Sequence, residues 1–395
     1  MTSPRTRDGL LRAALLIAGV ICTMGTAVTQ DAGAGPGGTM MLGDPVETDP
    51  DSGAQIYLLG ADERPADNIY GEQPYADASS RRIAIRYYPT DAAPGGISII
   101  DLYDGSRHEV LEGKPPFPAF HPWGEWLYYR QSVDGQPMLR RCNYLTMAIE
   151  NVAPLPPERG GYSYGTVSPD HRWFAVAVRP EGADASRVDL LDLQTGEWRV
   201  LLDMEGYHAK HEQFSRDGRN RVLIQLNEMP DVAHVLLGEI ALTGEMQLFP
   251  ADEPHTLRPT GHEAWVGDTS SIFFSTAADP ETGGNIWTGA VGDEAPRLIP
   301  GPPSRVGHVS VSADGRYWIG DTGEEGVPLY IGSFESGRCA RALFSRTVYD
   351  GKQWSHAHPY LTADSRWLIF TARRGEDAIP QVYGARLAGG WLEQL

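Results

Sequence analysis

Positive charge is scarce. The 395 residues include 33 Lys and Arg against 52 Asp and Glu, a formal charge of −19. That balance argues against a nucleic-acid binder, which needs a basic face. Cysteine is nearly absent, at three residues, so there is no disulfide framework. Cys142 and Cys339 are either one pair in an oxidising compartment or two separate thiols. Past the N-terminus no run is long and apolar enough to span a membrane, and no helix of more than a turn or two is expected. What is plentiful is turn and aromatic chemistry: 45 Gly, 30 Pro, 10 Trp and 17 Tyr. Hydrophobic residues at 41% supply a large core, and the mixture favours an all-β chain with many turns.

The N-terminus reads as a targeting segment. Arg5, Arg7 and Arg12 give a positive n-region to the apolar stretch Leu10 to Ile21, and Gly25-Thr26-Ala27 offers small residues for cleavage. Residues 1–27 are therefore expected to be a signal peptide, with the mature protein exported to a periplasmic or extracellular location. Ile21 stands before Cys22, where a lipoprotein needs a small residue, so simple export is expected. Residues 28–54, rich in Gly, Asp and Pro, read as a flexible linker. Residues 55–395 form the folded domain.

Internal repeats set the fold class. Five segments share a short apolar strand, a turn with Asp or Gly, then an aromatic-rich strand, with turn residues Asp170, Asp217, Asp268, Asp314 and Asp364. Two weaker copies carry Ser79 and Trp123 at the turn. Six residues before each turn lie Gln73, Phe117, Tyr164, His211, His262, His308 and His358, at spacings of 44, 47, 47, 51, 46 and 50. Seven copies at this WD40-like period predict a seven-bladed β-propeller with four antiparallel strands per blade, and Gln55 to Leu59 and Trp391 to Leu395 are both candidates for the outer strand of the last blade. The strand before the turn is the innermost of its blade, so these seven residues should ring one mouth of the central channel. Four of them are His, in a chain with 11. A purely structural His, bonded within its own blade, should recur in every blade, yet the other copies carry Gln, Phe and Tyr.

His356 and His358 are two apart, on one face of an extended segment. Gln353 can reach the same point, and His262 faces it from two blades earlier. Imidazoles with one amide oxygen suit Mn, Zn, Fe or Ni by ligand type, and the lack of thiolate argues against a structural zinc cage.

Gln353-Trp354-Ser355-His356-Ala357-His358-Pro359 resembles the Q-x-x-H-x-H-P segment of oligogalacturonate lyases, seven-bladed propeller enzymes of pectin degradation. Gly261-His262-Glu263-Ala264-Trp265 is similar to their H-E-x-W segment, and Gly307-His308 with Gly320-Asp321 resembles another family segment. Arg187 to Asp192, followed by Thr195-Gly196-Glu197, resembles the strand and turn bearing their catalytic arginine, and His211 follows 24 residues later, as their catalytic histidine does. The resemblance spans residues 46–395. It implies manganese (Mn2+) held by His262, Gln353, His356 and His358, His211 as base, and Arg187 as a cation beside the sugar carboxylate. The chain departs from the family at Asn227-Glu228-Met229-Pro230, at His234 where an arginine is expected, and in the loop Asp67 to Gln73, which matches only loosely. These departures bear on the substrate more than on the reaction.

The chemistry so implied is β-elimination from a uronate oligosaccharide, leaving a 4,5-unsaturated end. Its C5 proton lies next to a carboxylate, and a metal and an arginine would offset the negative charge developed on its removal. An imidazole titrates near working pH and suits the base. Tyr164, Gln73, Lys210 and His308 are candidate substrate contacts at the same mouth, or else channel lining and solvated rim. Two other readings compete. One is a non-catalytic exported propeller that binds or scaffolds, which gives no reason for clustered His. The other is the propeller of a peptidase, set aside because no hydrolase domain is read in the chain; the G-x-S-x-G string Gly161-Tyr162-Ser163-Tyr164-Gly165 falls in a β repeat, not at the strand-to-helix turn of a nucleophile elbow.

Overall fold

The computed structural model describes residues 42–395, apart from 62, 114–117, 184, 281–282 and 376–377. The expected signal peptide and the first part of the linker lie outside the described residues. Seven small antiparallel sheets follow one another along the chain. Helical structure among the described residues is three 3-10 turns.

The turn chemistry that marks the repeats builds the entry of four blades. Ser168, Ser215, Ser312 and Thr362 each donate a hydroxyl hydrogen bond to the Asp two residues on. The same oxygens accept the backbone N–H of Trp173, Arg221, Tyr317 and Trp367, which open the second strands. One hydroxyl thus ties turn and strand together. The strands so launched are apolar on both faces, as in Trp367–Ala372, all buried. Their two faces pack against the blades on either side.

Four blades have four strands. Blade 1 is Ala66–Asp67, Arg82–Tyr87, Gly96–Asp101 and Arg107–Glu112. Blade 4 is Tyr207–Phe214, Val222–Glu228, Val235–Ile240 and Met246–Leu248. Blade 5 is Pro259–Trp265, Ser271–Thr276, Ile286–Ala290 and Arg297–Leu298. Blade 6 is Val306–Val311, Tyr317–Thr322, Pro328–Ser333 and Cys339–Phe344.

The other three correct the expectation of four. Among the described residues blade 2 has three strands, Trp126–Val133, Gln136–Asn143 and Ile149–Pro154, with its inner position seen as the bridge Ala119–Tyr128. In blade 3 the inner strand is split into Gly161–Tyr162 and Thr166–Val167, both paired with Trp173–Arg179 ahead of Arg187–Asp192 and Trp198–Leu202. Gly165 at φ +73 turns the chain inside that split. Blade 7 has five strands: Tyr360–Leu361, Trp367–Ala372 and Gln381–Arg386, then Gln55–Leu59 and Glu47–Thr48 from the N-terminal side.

The ring therefore closes through an N-terminal strand, Gln55–Leu59 pairing with Gln381–Arg386. Trp391 to Leu395, the other candidate for closure, forms a 3-10 turn whose apolar side chains rest on the cluster between blades 6 and 7. Residues 47–54, expected to be linker, are held in place. Glu47 pairs with Arg346 and Arg374, Asp49 with Arg341, and Ser52 and Ala54 are buried.

Seven apolar clusters fill the seams between consecutive blades, including the seam between blades 7 and 1. Each blade thus shares a core with both neighbours. Cys142 is buried in blade 2 and Cys339 lies on the outer strand of blade 6, both as free thiols.

Candidate metal centre and active site

The innermost strands of blades 4, 5 and 6 each lose register once, between Lys210 and Gln213, Pro259 and Glu263, and Val306 and Val309. The unpaired residues include His211, His262 and His308. A bulge of this kind re-aims side chains out of the pleat, here toward the channel. His211 takes φ +60 and His358 φ +42, a left-handed geometry that His tolerates better than most residues. Ring centroids step 6.4 Å from His211 to His262, 4.6 Å to His308 and 4.4 Å to His358. The four imidazoles form a continuous arc, as the repeat register predicts.

The other ring positions correct the expectation of a uniform inner-strand level. Gln73 lies in the loop after Ala66–Asp67 and Tyr164 in the gap of the split strand. Phe117 lies outside the described residues; Phe120 is the blade 2 aromatic near this mouth, stacked on Tyr164 with centroids 5.2 Å apart.

The loop Asp67 to Gln73 supplies what the arc encloses. Tyr70, 8% exposed, stands 5.5 Å from His211, 6.4 Å from His262 and 4.7 Å from His358 between ring centroids. Its hydroxyl is 3.3 Å from Nε2 of His211, and burial holds the phenol well above its usual pKa. The loop is tied to the neighbouring blade 7: Asn68 Nδ2 donates to the His358 carbonyl at 2.7 Å. Gly71 makes this possible, because a Cβ there would meet the His358 backbone at 2.9 Å.

Buried carboxylates back the arc. Nδ1 of His262 is hydrogen-bonded to Glu72. Nδ1 of His308 is 2.8 Å from Oδ2 of Asp321, whose other oxygen accepts the His308 N–H at 2.8 Å. Glu263 lies 3.4 Å from Nδ1 of His211. Burial, reinforced by Glu263, pushes the Glu72 carboxyl up to about 8 against the pull of His211 and His308. Burial and then the neighbouring His308 hold both His262 and His358 well below the usual imidazole range. Burial also disfavours the charged form of His308, but the charge and hydrogen bond of Asp321 outweigh it and raise that pKa.

His308, His356 and His358 offer ring nitrogens all within 4.8 Å of one another. Nδ1 of His356 is 3.0 Å from Nε2 of His308, and the Gln353 amide nitrogen is 3.1 Å from Nε2 of His358. This donor set fits a divalent ion. A metal-bound imidazole almost always gives its second ring nitrogen to a carboxylate or carbonyl, and Asp321 does this for His308, leaving its Nε2 for the centre, while Glu72 is the hydrogen-bond partner of Nδ1 of His262. The His358 ring is held in its neutral, ligating form, and its buried Nδ1 has no hydrogen-bond partner. Neutral imidazoles without thiolate suit Mn, Zn, Fe or Ni.

The structure thus brings together His356, His358 and Gln353, adds His308, and keeps His262 at the edge of the same cluster. It does not bring Arg187 to His211. Alternation along Arg187–Asp192 turns Val188 and Leu190 toward blade 4, in a cluster with Ala209 and Phe214, and Arg187 to the opposite face. There its Nε donates to the buried Asp189 at 2.8 Å, which also binds Arg159 at 2.6 Å. Gln73 crosses the channel to donate to the Glu212 carbonyl at 3.2 Å. Lys210 lines a neighbouring cavity. Sequence reasoning missed Tyr70, Glu72 and the supporting role of Asp321. Glu72 and Tyr70 sit in the loosely matching loop, whereas Asp321 stood in a segment already singled out.

No protein-family model matches the sequence, and no curated protein matches it significantly. Among solved structures, the chain is similar to an oligogalacturonate lyase in complex with manganese, at 20% identity and TM-score 0.68, covering 87% of this chain and 96% of that one. An oligogalacturonate lyase from Vibrio parahaemolyticus gives the same TM-score and coverage at 15% identity. The β-propeller domain of the Trilobed protease from Pyrococcus furiosus gives TM-score 0.51 at 11% identity, over 82% of this chain and 96% of that one. At these identities the likeness speaks for architecture, and the chain has the seven-bladed propeller fold of the oligogalacturonate lyases.

Proposed function

We propose that this protein is an exported lyase that cleaves oligogalacturonate, or a related uronate oligosaccharide, by β-elimination at the mouth of the propeller. The observation that carries the reading is the arc of His211, His262, His308 and His358, backed by Glu72, Glu263 and Asp321, at one mouth of this fold. A non-catalytic binding propeller gives no reason for such a cluster. Gln353, His356 and His358, with His308 and His262 at their side, would hold a divalent ion such as manganese. When bound, that ion supplies Lewis-acid charge for the uronate carboxylate.

His211 is assigned the proton transfer. Its Nε2 faces the enclosed space beside Tyr70, and Glu263 lies behind Nδ1, so the base has an orienting carboxylate. Nε2 takes the C5 proton. The C5–H electron pair becomes the C4–C5 double bond, and the C4–O bond breaks with its pair on the leaving oxygen, which takes a proton. Tyr70 excludes water from one side and can hydrogen-bond the sugar. Arg187 is occupied by Asp189, so the guanidinium beside the substrate is assigned to Arg305, which lines the cavity of His308 and His356. The test is a panel of uronate oligosaccharides offered to chelator-treated and manganese-restored protein, followed by the ultraviolet absorbance of the conjugated product. Product on at least one uronate, dependent on added metal, is expected; binding without product on all of them favours the scaffold reading.

A further inference from the structure

Two cavities open side by side at this mouth. One holds His308, His356, Asp321 and Tyr349. The other, of 630 Å³, lies against the first strands of blades 4 and 5 and the Val232–His234 segment, within the range of about 300–1,000 Å³ usual for ligand pockets. Arg305 lines both. The second cavity also holds Lys210 and Arg258. Among the described residues, none of these three cations takes part in an ion pair: Arg305 reaches only the Thr276 carbonyl at 3.5 Å, and Arg258 the Val232 carbonyl. Of the two acids on the wall, Asp252 is occupied by the backbone N–H groups of Val235 and Glu253 and by His234. Glu253 is exposed. With three cations, none of them ion-paired, against two acids, the wall carries a net positive charge in a protein that is acidic overall.

A second observation points to a ligand with hydroxyl groups. Gln225 lines this cavity at 1% exposure, and its Oε1 has no hydrogen-bond partner. Its amide nitrogen is spent on Asn227. Gly261, at φ +91, keeps the neighbouring space clear, since a Cβ there would approach that oxygen to 2.9 Å. Anions and hydroxyls side by side are the chemistry of a uronate ring.

We propose that the second cavity binds the carboxylate of the uronate residue next to the one that reacts, with Arg258 and Lys210 as its cations, Arg305 standing between it and the reacting residue, and Gln225 accepting a ring hydroxyl. This rests on the lyase reading for the identity of the ligand. It makes the substrate an oligomer with at least two adjacent free carboxylates, and it places the preference for charged over esterified chains in this cavity.

The experiment is calorimetric titration of trigalacturonate, its fully methyl-esterified form and galacturonate monomer into the full chain, with the elimination assay run alongside. Arg258→Gln and Lys210→Met should each weaken trigalacturonate binding by about tenfold, as loss of one charge-assisted contact does, and leave monomer binding unchanged. Gln225→Leu should weaken it less, with no change in salt dependence. Wild-type preference for the free acid over the ester should shrink in the Arg258→Gln protein. If trigalacturonate is cleaved and bound equally by wild type, Arg258→Gln and Lys210→Met, the subsite is refuted while the lyase reading survives. If those variants lose affinity but wild type yields no unsaturated product, the subsite stands and the lyase reading falls. Equal affinity of wild type for ester and free acid overturns the proposal directly.

Discussion

Replacing Asp321 by Asn tests the metal centre through a residue that would not itself touch the ion. Asp321 is 1% exposed. Its Oδ1 accepts the His308 backbone N–H, its Oδ2 accepts from His308 Nδ1, and Tyr349 donates to Oδ2 at 3.2 Å. Asparagine keeps the shape but has one acceptor. If its oxygen stays on the backbone N–H, its NH2 faces Nδ1, which must then give up its proton. The proton moves to Nε2 and covers the lone pair needed for coordination. If the amide turns over, its NH2 opposes the backbone N–H instead. Either arrangement penalises the ligating tautomer, and loss of such a supporting carboxylate typically weakens metal binding about 10–100-fold, or about 1.4–2.7 kcal/mol. Calorimetric titration of manganese into Asp321→Asn at neutral pH is the assay, with thermal unfolding of the metal-free protein as a check on the fold. His356→Ala, which removes a ring nitrogen outright, should lose more. Unchanged affinity in Asp321→Asn, with His356→Ala impaired, would show that His308 does not share the centre.

Four further outcomes are expected. His121, held down to about 4 by burial and by His171 4.6 Å away, is neutral in the folded protein where the unfolded chain would protonate it. Stability should therefore fall as pH drops from about 6.5 to about 4, by up to about 3 kcal/mol from this group; His121→Gln should flatten that part of the urea-midpoint profile, and an unaltered profile would refute the assignment. Ile56→Ala, at a fully buried position of the closing strand, should cost about 2–5 kcal/mol in denaturant unfolding, whereas Leu58→Ala, at 36% exposure, should stay within about 0.5 kcal/mol. Tyr70→Phe keeps the plug but loses the hydroxyl near His211, so the elimination rate should drop about two- to tenfold with metal content unchanged. Arg187→Gln should affect unfolding more than catalysis, because its partner is buried Asp189; a severe loss of rate with intact stability would restore Arg187 to the site.

Much of this architecture was legible in the sequence because the repeat is locally written. The hydroxyl-x-Asp turn fixes the entry of blades 3, 4, 6 and 7 with contacts inside a few residues, so counting back from Asp170, Asp217, Asp314 or Asp364 lands near the channel each time. His211, His308 and His358 came out of that count, and His262 out of the same count from Asp268, whose turn has Val266 in place of the hydroxyl. Their bulges did not, since a register shift is set by pairing with the next strand and by what fills the channel. The inner position of blade 2, a single bridge among the described residues, and the split in blade 3 were hidden for the same reason. The His262–Glu72 pair joins residues 190 apart in sequence, and nothing near Glu72 marks it. Closure by Gln55–Leu59 was one of two open choices, because short alternating strands occur at both ends. Motif resemblance carries the position of Arg187 along its strand but not which side chain it meets. The buried Asp189 two residues on, which shares its face, was the available clue.

The central claim is that His211 removes a proton from a bound uronate while the metal cluster remains intact. It is tested most directly by following unsaturated-product absorbance from oligogalacturonate with manganese-loaded wild type and His211→Ala at equal metal content. General-base removal should lower the rate about 10²–10⁴-fold without loss of bound manganese. Full activity in His211→Ala would contradict the account and pass the base to another residue of the arc, with His308 the first to examine.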